Sequence, residues 1–418
     1  METVQLDRDV FETRVPNGVT VVSERVAGVR SAAVGIWVRT ASVHEPRHLM
    51  GVSHLLEHMV FKGTTQRSAR EIALELEARG GSLDAYTSRD TTAFQARVLD
   101  ADLPRALDVL TDLVRRPALR DADLDLERNV ILEEINTVQD TPDDLVFDLT
   151  AEALWPDHPY GYSILGTRDT VTTLSTEDLR RLHDRAYHSA NCVIAAAGNL
   201  EHGALLELVG AQGWLDTPNG NGRAPGSPPA AAAVRGREVR HPKDTAQTHI
   251  VLATEGVRFS DPRKFPLMVL SNVFGGGMSS RLFQRIREEL GLAYAVYSFT
   301  SFHGHAGVLG VYVGTQPRTA AQAAEAIREE YDKLARGGLA PDALDQAKQQ
   351  TQGQLTLMLE SPTARMYRLA GLAVHGEPYR SLDQTLAQIA ALTPREVADV
   401  AAEFFAPDRQ TLVWLGPN

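Results

Sequence analysis

An α+β protein of two related domains, residues 1–216 and 234–418 joined by a linker at 217–233, is what this sequence predicts. Three observations lead there. At 418 residues the chain is too long for one ordinary core, because cores stop growing and split into domains beyond about 250–300 residues. Between Thr217 and Ala233 stand Pro218, Pro225, Pro228 and Pro229 with Gly220, Gly222 and Gly226, which resist both helix and central strand. On either side of that stretch the same order recurs. An apolar strand is followed by two helices and then further strands, joined by short connections.

The elements can be justified in order along the chain. Residues 1–9 lack the basic region and apolar run of a signal peptide. Residues 32–38, from Ala32 through Ile36 and Trp37 to Val38, read as an apolar strand. The next helix carries His54, Glu57 and His58, and Gly63 ends it two residues after Phe61. A second helix begins at a capping box, Ser68 with Glu71, and Gly80-Gly81 stops it. A strand follows near 83–98. Leu124, Ile131, Ile135 and Val138 then recur at helical spacing across 123–138. The lone cysteine, Cys192, opens an apolar run that reads as a buried strand, so it is a packing residue and no intrachain disulfide exists. Beyond the linker, strands are expected at 249–253, 294–300 and 308–313, and helices near 266–274 and 280–289.

Composition narrows the function. A chain 43% hydrophobic and 23% charged is globular, and no apolar run reaches the roughly 18 residues of a membrane helix. A cytoplasmic protein that enters no membrane is the expectation. The formal net charge of −12 argues against nucleic acid as a partner. An acidic wall would attract basic peptides, although charge of this size also simply maintains solubility.

His54 and His58 stand four positions apart, so on a helix both point from one face. Two neutral imidazoles on one face supply half of a tetrahedral zinc site. Glu57, one position before His58, can reach a metal-activated water as general base. A catalytic zinc usually takes a third protein ligand. On the helix of 123–138, Glu127 and Glu134 fall on or beside the apolar stripe, and Glu133 falls opposite. A carboxylate facing a core is costly unless paired or metal-bound. Glu134 is therefore the expected third ligand, Glu133 a solvated neighbour. Glu127 is expected to accept a hydrogen bond from a ligand imidazole or to orient the water; the alternative is an ordinary salt bridge to an arginine. Gly275-Gly276-Gly277 lacks the lysine arrangement of a phosphate loop, so no nucleotide site is expected. His303 and His305 would share one strand face, without an apparent third ligand.

The run from His54 through Glu57, His58, Met59 and Phe61 to Lys62-Gly63-Thr64 resembles the most specific segment of the pitrilysin (insulysin) family of zinc peptidases, whose motif is H-x-x-E-H. The resemblance covers essentially the whole chain and is nearest to the branch of mitochondrial processing peptidase and its bacterial relatives. Glu134, 76 positions after His58, matches the family's third ligand, and Glu127 its additional glutamate. Gly80 to Asp90 resembles the strand that pairs with extended substrate, which would make Asp84, Ala85, Tyr86 and Thr87 substrate-binding residues. Asp84 replaces the usual asparagine, and a carboxylate there would favour cationic residues near the scissile bond. Arg287 and Tyr294, seven positions apart, resemble the family's oxyanion-stabilising pair; without that resemblance they read as a helix-end arginine and a buried strand tyrosine. The glycine run at 275–277 resembles a shortened form of the loop in the noncatalytic mitochondrial subunit.

What the resemblance implies is a processing-peptidase-like metallopeptidase fold and a zinc metalloendopeptidase with one zinc per chain. The expected substrate is an extended or unfolded peptide in an enclosed chamber. Insulysin-like enzymes carry four such domains and this chain two, so a homodimer is expected, or a heterodimer with a related chain. In that assembly Arg287 and Tyr294 would reach the partner's zinc. The alternative reading is a noncatalytic partner or scaffold subunit.

Overall fold

The computed structural model describes residues 1–215, 226, 228, 230 and 234–417, so most of the expected linker at 217–233 lies outside the described residues. The chain divides into two compact units. The first comprises Met1–Ile135, Ser163–Pro228 and Met358–Tyr379, and the second Asn136–Tyr162, Pro229–Leu357 and Arg380–Asn418. Each unit thus draws one segment from the other half of the sequence, a departure from the continuous domains at 1–216 and 234–418. Helical periodicity shows which residues of a segment seek cover, but not which sheet will cover them.

The first unit is built on β1 (Glu2–Asp7), β2 (Val10–Arg14), β3 (Thr20–Arg25), β4 (Ser31–Val38), β5 (Ser82–Thr87), β6 (Thr92–Leu99) and β7 (Cys192–Gly198). Their order in the sheet is β1-β2-β3-β7-β4-β6-β5. The β3–β7 pair is parallel and the other neighbours are antiparallel. The single strand expected near 83–98 is instead a hairpin, β5 and β6, turning through Ser88 to Thr91, whose backbone groups bond each other. Polar residues at the turn break a stretch whose apolar pattern alone looks continuous.

Both faces of this sheet are covered, which is why β4 and β7 are apolar without alternation. On one face Val34, Ile36, Val38 and Ile194 pack with Leu55, Leu56 and Met59 of the motif helix (Val52–Val60). On the other, Ala33, Trp37, Val193 and Ala195 pack with Met366, Leu369 and Ala370 of the helix Pro362–Val374. Cys192 is fully buried in this core, and burial pushes its thiol up to about 12, as suits a packing residue. β5 closes the sheet at one edge, and among the described residues no further strand pairs with it.

The motif helix starts from Gly51, in the left-handed region at φ 92°. A Cβ on Gly51 would stand 2.6 Å from the carbonyl oxygen of Leu165, so glycine is required twice over at this helix start. The capping box at Ser68 and Glu71 opens the helix Ala69–Glu77, and Gly81 N–H donates back to the Leu76 carbonyl beyond its end. The long helix Asp121–Asp140 then brings the acidic candidates, with Leu124 and Ile131 in the core.

The second unit carries β8 (Glu238–Pro242), β9 (Thr248–Glu255), β10 (Ala293–Phe302), β11 (Gly307–Thr315) and β12 (Thr411–Gly416) in the order β10-β11-β9-β12-β8. Here β8 and β12 are the parallel pair. Ile250, Leu252, Val311 and Val313 pack with Phe274, Tyr331 and Phe405. The glycine run ends the helix Lys264–Gly275, where a Cβ on Gly275 would meet the Ser298 backbone nitrogen at 2.3 Å. His303 and His305 lie in the turn between β10 and β11 and not on a strand face. No described helix is long and apolar enough to cross a membrane.

Candidate metal centre

The motif helix presents His54 and His58 side by side, ring centroids 4.6 Å apart, as the four-residue spacing requires. The helix Asp121–Asp140 brings Glu134 to them. His54 Nε2 lies 3.7 Å from one Glu134 carboxylate oxygen, and His58 Nε2 3.5 Å from the other. A ligand atom from each of the three residues falls within 4.8 Å of the others. Ligands about 2.1 Å from a tetrahedral centre stand about 3.4 Å apart, so this trio suits a zinc-sized ion. Glu133, one residue earlier, is exposed.

Ligation needs a neutral imidazole with a free lone pair. Burial first, and then the neighbouring His58, push His54 down to about 3, which keeps its ring neutral near pH 7. His54 Nδ1 is buried without a hydrogen-bond partner. His58 Nδ1 lies 3.1 Å from a Glu127 carboxylate oxygen. Donation from that nitrogen leaves the Nε2 lone pair turned toward Glu134. The other Glu127 oxygen meets Lys62 Nζ at 2.8 Å. The alternative expected for Glu127 was an arginine pair; the cation is a lysine, and it is present together with the imidazole bond.

Glu57 is half-buried on the same helix, and its carboxylate accepts a hydrogen bond from Thr87 Oγ1 at 2.6 Å. Burial raises its pKa, partly opposed by Thr87 and by His58. A cavity of about 370 Å³ opens here, lined by Glu57, His58, Phe61, Lys62, Leu83, Asp84, Ala85 and Glu127. Of the four expected substrate-strand residues, Ala85 packs on the side of the motif helix and Thr87 bonds Glu57. Tyr86 turns to the opposite face, where its hydroxyl accepts from Trp37 Nε1 at 3.1 Å. Asp84 Oδ1 accepts from the Ala85 N–H at 2.9 Å.

Arg287 and Tyr294 belong to the second unit and meet each other there. Arg287 Nη1 donates to the Tyr294 carbonyl at 3.2 Å, and its guanidinium lies 4.4 Å from the Tyr294 ring centroid. Tyr294 is 78% exposed, which removes the reading of a buried strand tyrosine.

Comparison with known proteins identifies the family. Residues 20–168 match the family described as Insulinase (Peptidase family M16), and residues 173–351 match the Peptidase M16 inactive domain. The chain belongs to peptidase family M16. An uncharacterized zinc protease of Streptomyces coelicolor is 39% identical over 412 residues, 98% of this chain and 90% of that protein. The uncharacterized zinc protease YmxG of Bacillus subtilis is 37% identical over 392 residues, covering 94% and 95%. Two solved structures share the fold, each with a TM-score of 0.91. They are the peptidase M16 inactive domain from Pseudomonas fluorescens (21% identity, 98% of both chains) and a protease from Helicobacter pylori (22% identity, 98% of this chain and 99% of that one).

Two residues of this M16 chain that sequence reasoning missed serve the centre. Lys62 neutralises Glu127, as described. Glu45 is buried, and its two carboxylate oxygens accept from the N–H groups of Gly51 at 2.8 Å and Ser53 at 2.7 Å. It thereby satisfies donors at the start of the motif helix, where negative charge is favoured. Burial outweighs those bonds and raises its pKa to about 7. A cap six and eight positions upstream lies outside capping-box spacing. The one available signal was an acidic residue shortly before a helix start that has no Ser, Thr, Asp or Asn cap.

Proposed function

We propose that this M16 chain is a zinc-dependent endopeptidase that hydrolyses extended or unfolded peptides. The observation that carries the reading is the convergence of His54, His58 and Glu134, with Glu57 beside them and an edge strand, β5, along the cavity. The relatives' description as zinc proteases supports the same reading. His54, His58 and Glu134 would hold one zinc. The chemistry that zinc supplies when bound is polarisation of the scissile carbonyl and acidification of the attacking water. Glu57 takes the proton from that water and later delivers it to the leaving amine. Its raised pKa suits a group that must hold a proton midway through the reaction. Glu127 holds His58 in the required tautomer. An extended peptide adds to β5 through backbone hydrogen bonds, a mode that tolerates varied side chains.

We propose also that the active form pairs two such chains, and that Arg287 and Tyr294 of one copy stabilise the oxyanion formed at the other. Their mutual stacking and the exposure of Tyr294 support a role outside the core.

Glu57→Gln is the deciding variant. It should reduce hydrolysis of a denatured protein substrate at least about a hundredfold, the scale of a lost general base, while metal analysis still finds one zinc per chain. Wild-type cleavage rates in that variant would remove Glu57 from the mechanism.

A further inference from the structure

The carboxylate that meets the start of the motif helix belongs to a segment anchored, at its other end, on the turn between β5 and β6. We propose that Glu45 is a positioning residue for the metal centre, fixing the first turn of the motif helix and with it the place of His54. This rests on the metal-binding part of the function proposed above.

His54 lies in the least secured turn of its helix. Leu55 N–H donates to the Gly51 carbonyl at 3.0 Å, which opens the helical ladder. The His54 N–H stands ahead of that first bond, whereas Glu57 and His58 lie within the ladder. The first N–H groups of a helix have no partner inside it, and Gly51 at the N-cap position has no side chain to supply one. Glu45 meets them with charge-assisted bonds, one carboxylate oxygen to Gly51 and the other to Ser53. Ser53 is the residue before His54, so the hold falls on the backbone that aims this imidazole.

Glu45 is itself held from the opposite direction. It follows a short helical turn, Ser42–His44, and its N–H closes that turn on the Ser42 carbonyl at 3.2 Å. Val43 N–H donates to the Arg89 carbonyl at 2.9 Å, and Ser42 Oγ to the Ser88 carbonyl at 3.3 Å. Ser88 and Arg89 belong to the turn that joins β5 to β6. Ser42, Val43 and Glu45 are all buried. Residues 42–45 therefore brace the hairpin turn against the first turn of the motif helix. At the end of β5, Thr87 bonds Glu57. The brace at Ser53 and the bond at Glu57, one helical turn apart, fix the helix at two points against the strand along which a peptide would lie. A cap from the helix's own sequence would satisfy the same donors without reaching the hairpin.

The test uses the full chain at about pH 8.5, where the Glu45 carboxyl, raised to about 7 by burial, is ionised. Glu45→Gln keeps the size of the side chain but turns an amide donor toward one of the two N–H groups. A zinc-chelator competition should show affinity lowered about tenfold, the lower end of what is lost with a group that orients a ligand. The visible absorption band of the cobalt(II)-loaded chain, which reads ligand geometry, should shift. Glu45→Asp is charged but one methylene too short to span both donors. It should move both readouts in the same direction, and it serves alone if the glutamine variant does not fold. Glu24→Gln controls for a general loss of stability, since it removes a buried carboxylate that pairs with Arg365. It should leave affinity and band as in the wild type. A wild-type affinity or a wild-type band in a folded Glu45 variant, or equal losses in Glu24→Gln, would overturn the positioning role. Cleavage is scored separately. Weakened zinc in the Glu45 variants of a chain that cleaves no peptide keeps the brace and sinks the peptidase. Cleavage by the wild-type chain, with zinc affinity untouched in the variants, does the reverse.

Discussion

Glu127 shows how one residue couples the candidate ligands to the fold. It is buried, and one carboxylate joins an imidazole to an ammonium group. Glu127→Ala would leave His58 without its orienting partner and Lys62 without its counter-charge. Loss of such a partner typically lowers metal affinity about 10–100-fold. A zinc-chelator competition titration should show a decrease of that size, and unchanged affinity would mean that His58 is held by its helix alone. The histidines could be read from sequence because a four-residue spacing is a local property of a helix. Glu134 could be read because a carboxylate beside an apolar stripe demands a partner. Lys62 could not, because Glu127 is met only after separate segments have packed, and Glu45 could not, because a cap six and eight positions upstream lies outside capping-box spacing.

At the scale of elements, the motif helix depends on its first turn. Gly51 holds a backbone conformation that L-residues rarely adopt, and the chain at Leu165 and Gly166 approaches it closely. Gly51→Ala is therefore expected to cost more than about 1 kcal/mol of stability and to disturb the direction in which His54 and His58 leave the helix. Denaturant unfolding should show a lowered midpoint, and the folded fraction should bind zinc more weakly. A variant with the wild-type midpoint would show that the segment at 165–166 can yield. Most elements followed from local pattern: the strand at β4, the capping box at Ser68, the long helix with its acidic face. The hairpin of β5 and β6 did not, because its apolar residues run on across the turn and only Ser88 to Thr91 interrupt them. That turn matters to the proposed chemistry, since it makes β5 an edge strand beside Glu57.

The whole molecule consists of two compact units, each with a mixed sheet covered by helices. The proposed pairing of chains has a direct test at this scale. A Glu57→Gln chain and a Tyr294→Phe chain, each impaired alone, are mixed and allowed to exchange. If one copy serves the other, the mixed dimer holds one intact centre and should recover up to about half of the wild-type dimer's rate, since complementary defects restore one of its two sites. Verified mixed dimers without recovery would place Tyr294 in service of its own chain or outside the reaction. A chain that stays monomeric at working concentration would remove the pairing itself.

By itself the sequence determined what depends on neighbours along the chain. That covers the α+β class, the helix that aligns His54, Glu57 and His58, and the burial of Cys192. It also covers the acidic face bearing Glu127 and Glu134. Only the tertiary structure decided which segments share a unit: residues 358–379 join the first and residues 136–162 the second. It alone paired Lys62 with Glu127, two groups 65 positions apart, and laid residues 358–379 against the first sheet. The physical reason is the same in each case. Periodicity and spacing state which face of an element must be covered and which charge must be met. The group that meets it is chosen when distant segments compete for the same surface, and that competition has no signature within a short window of residues.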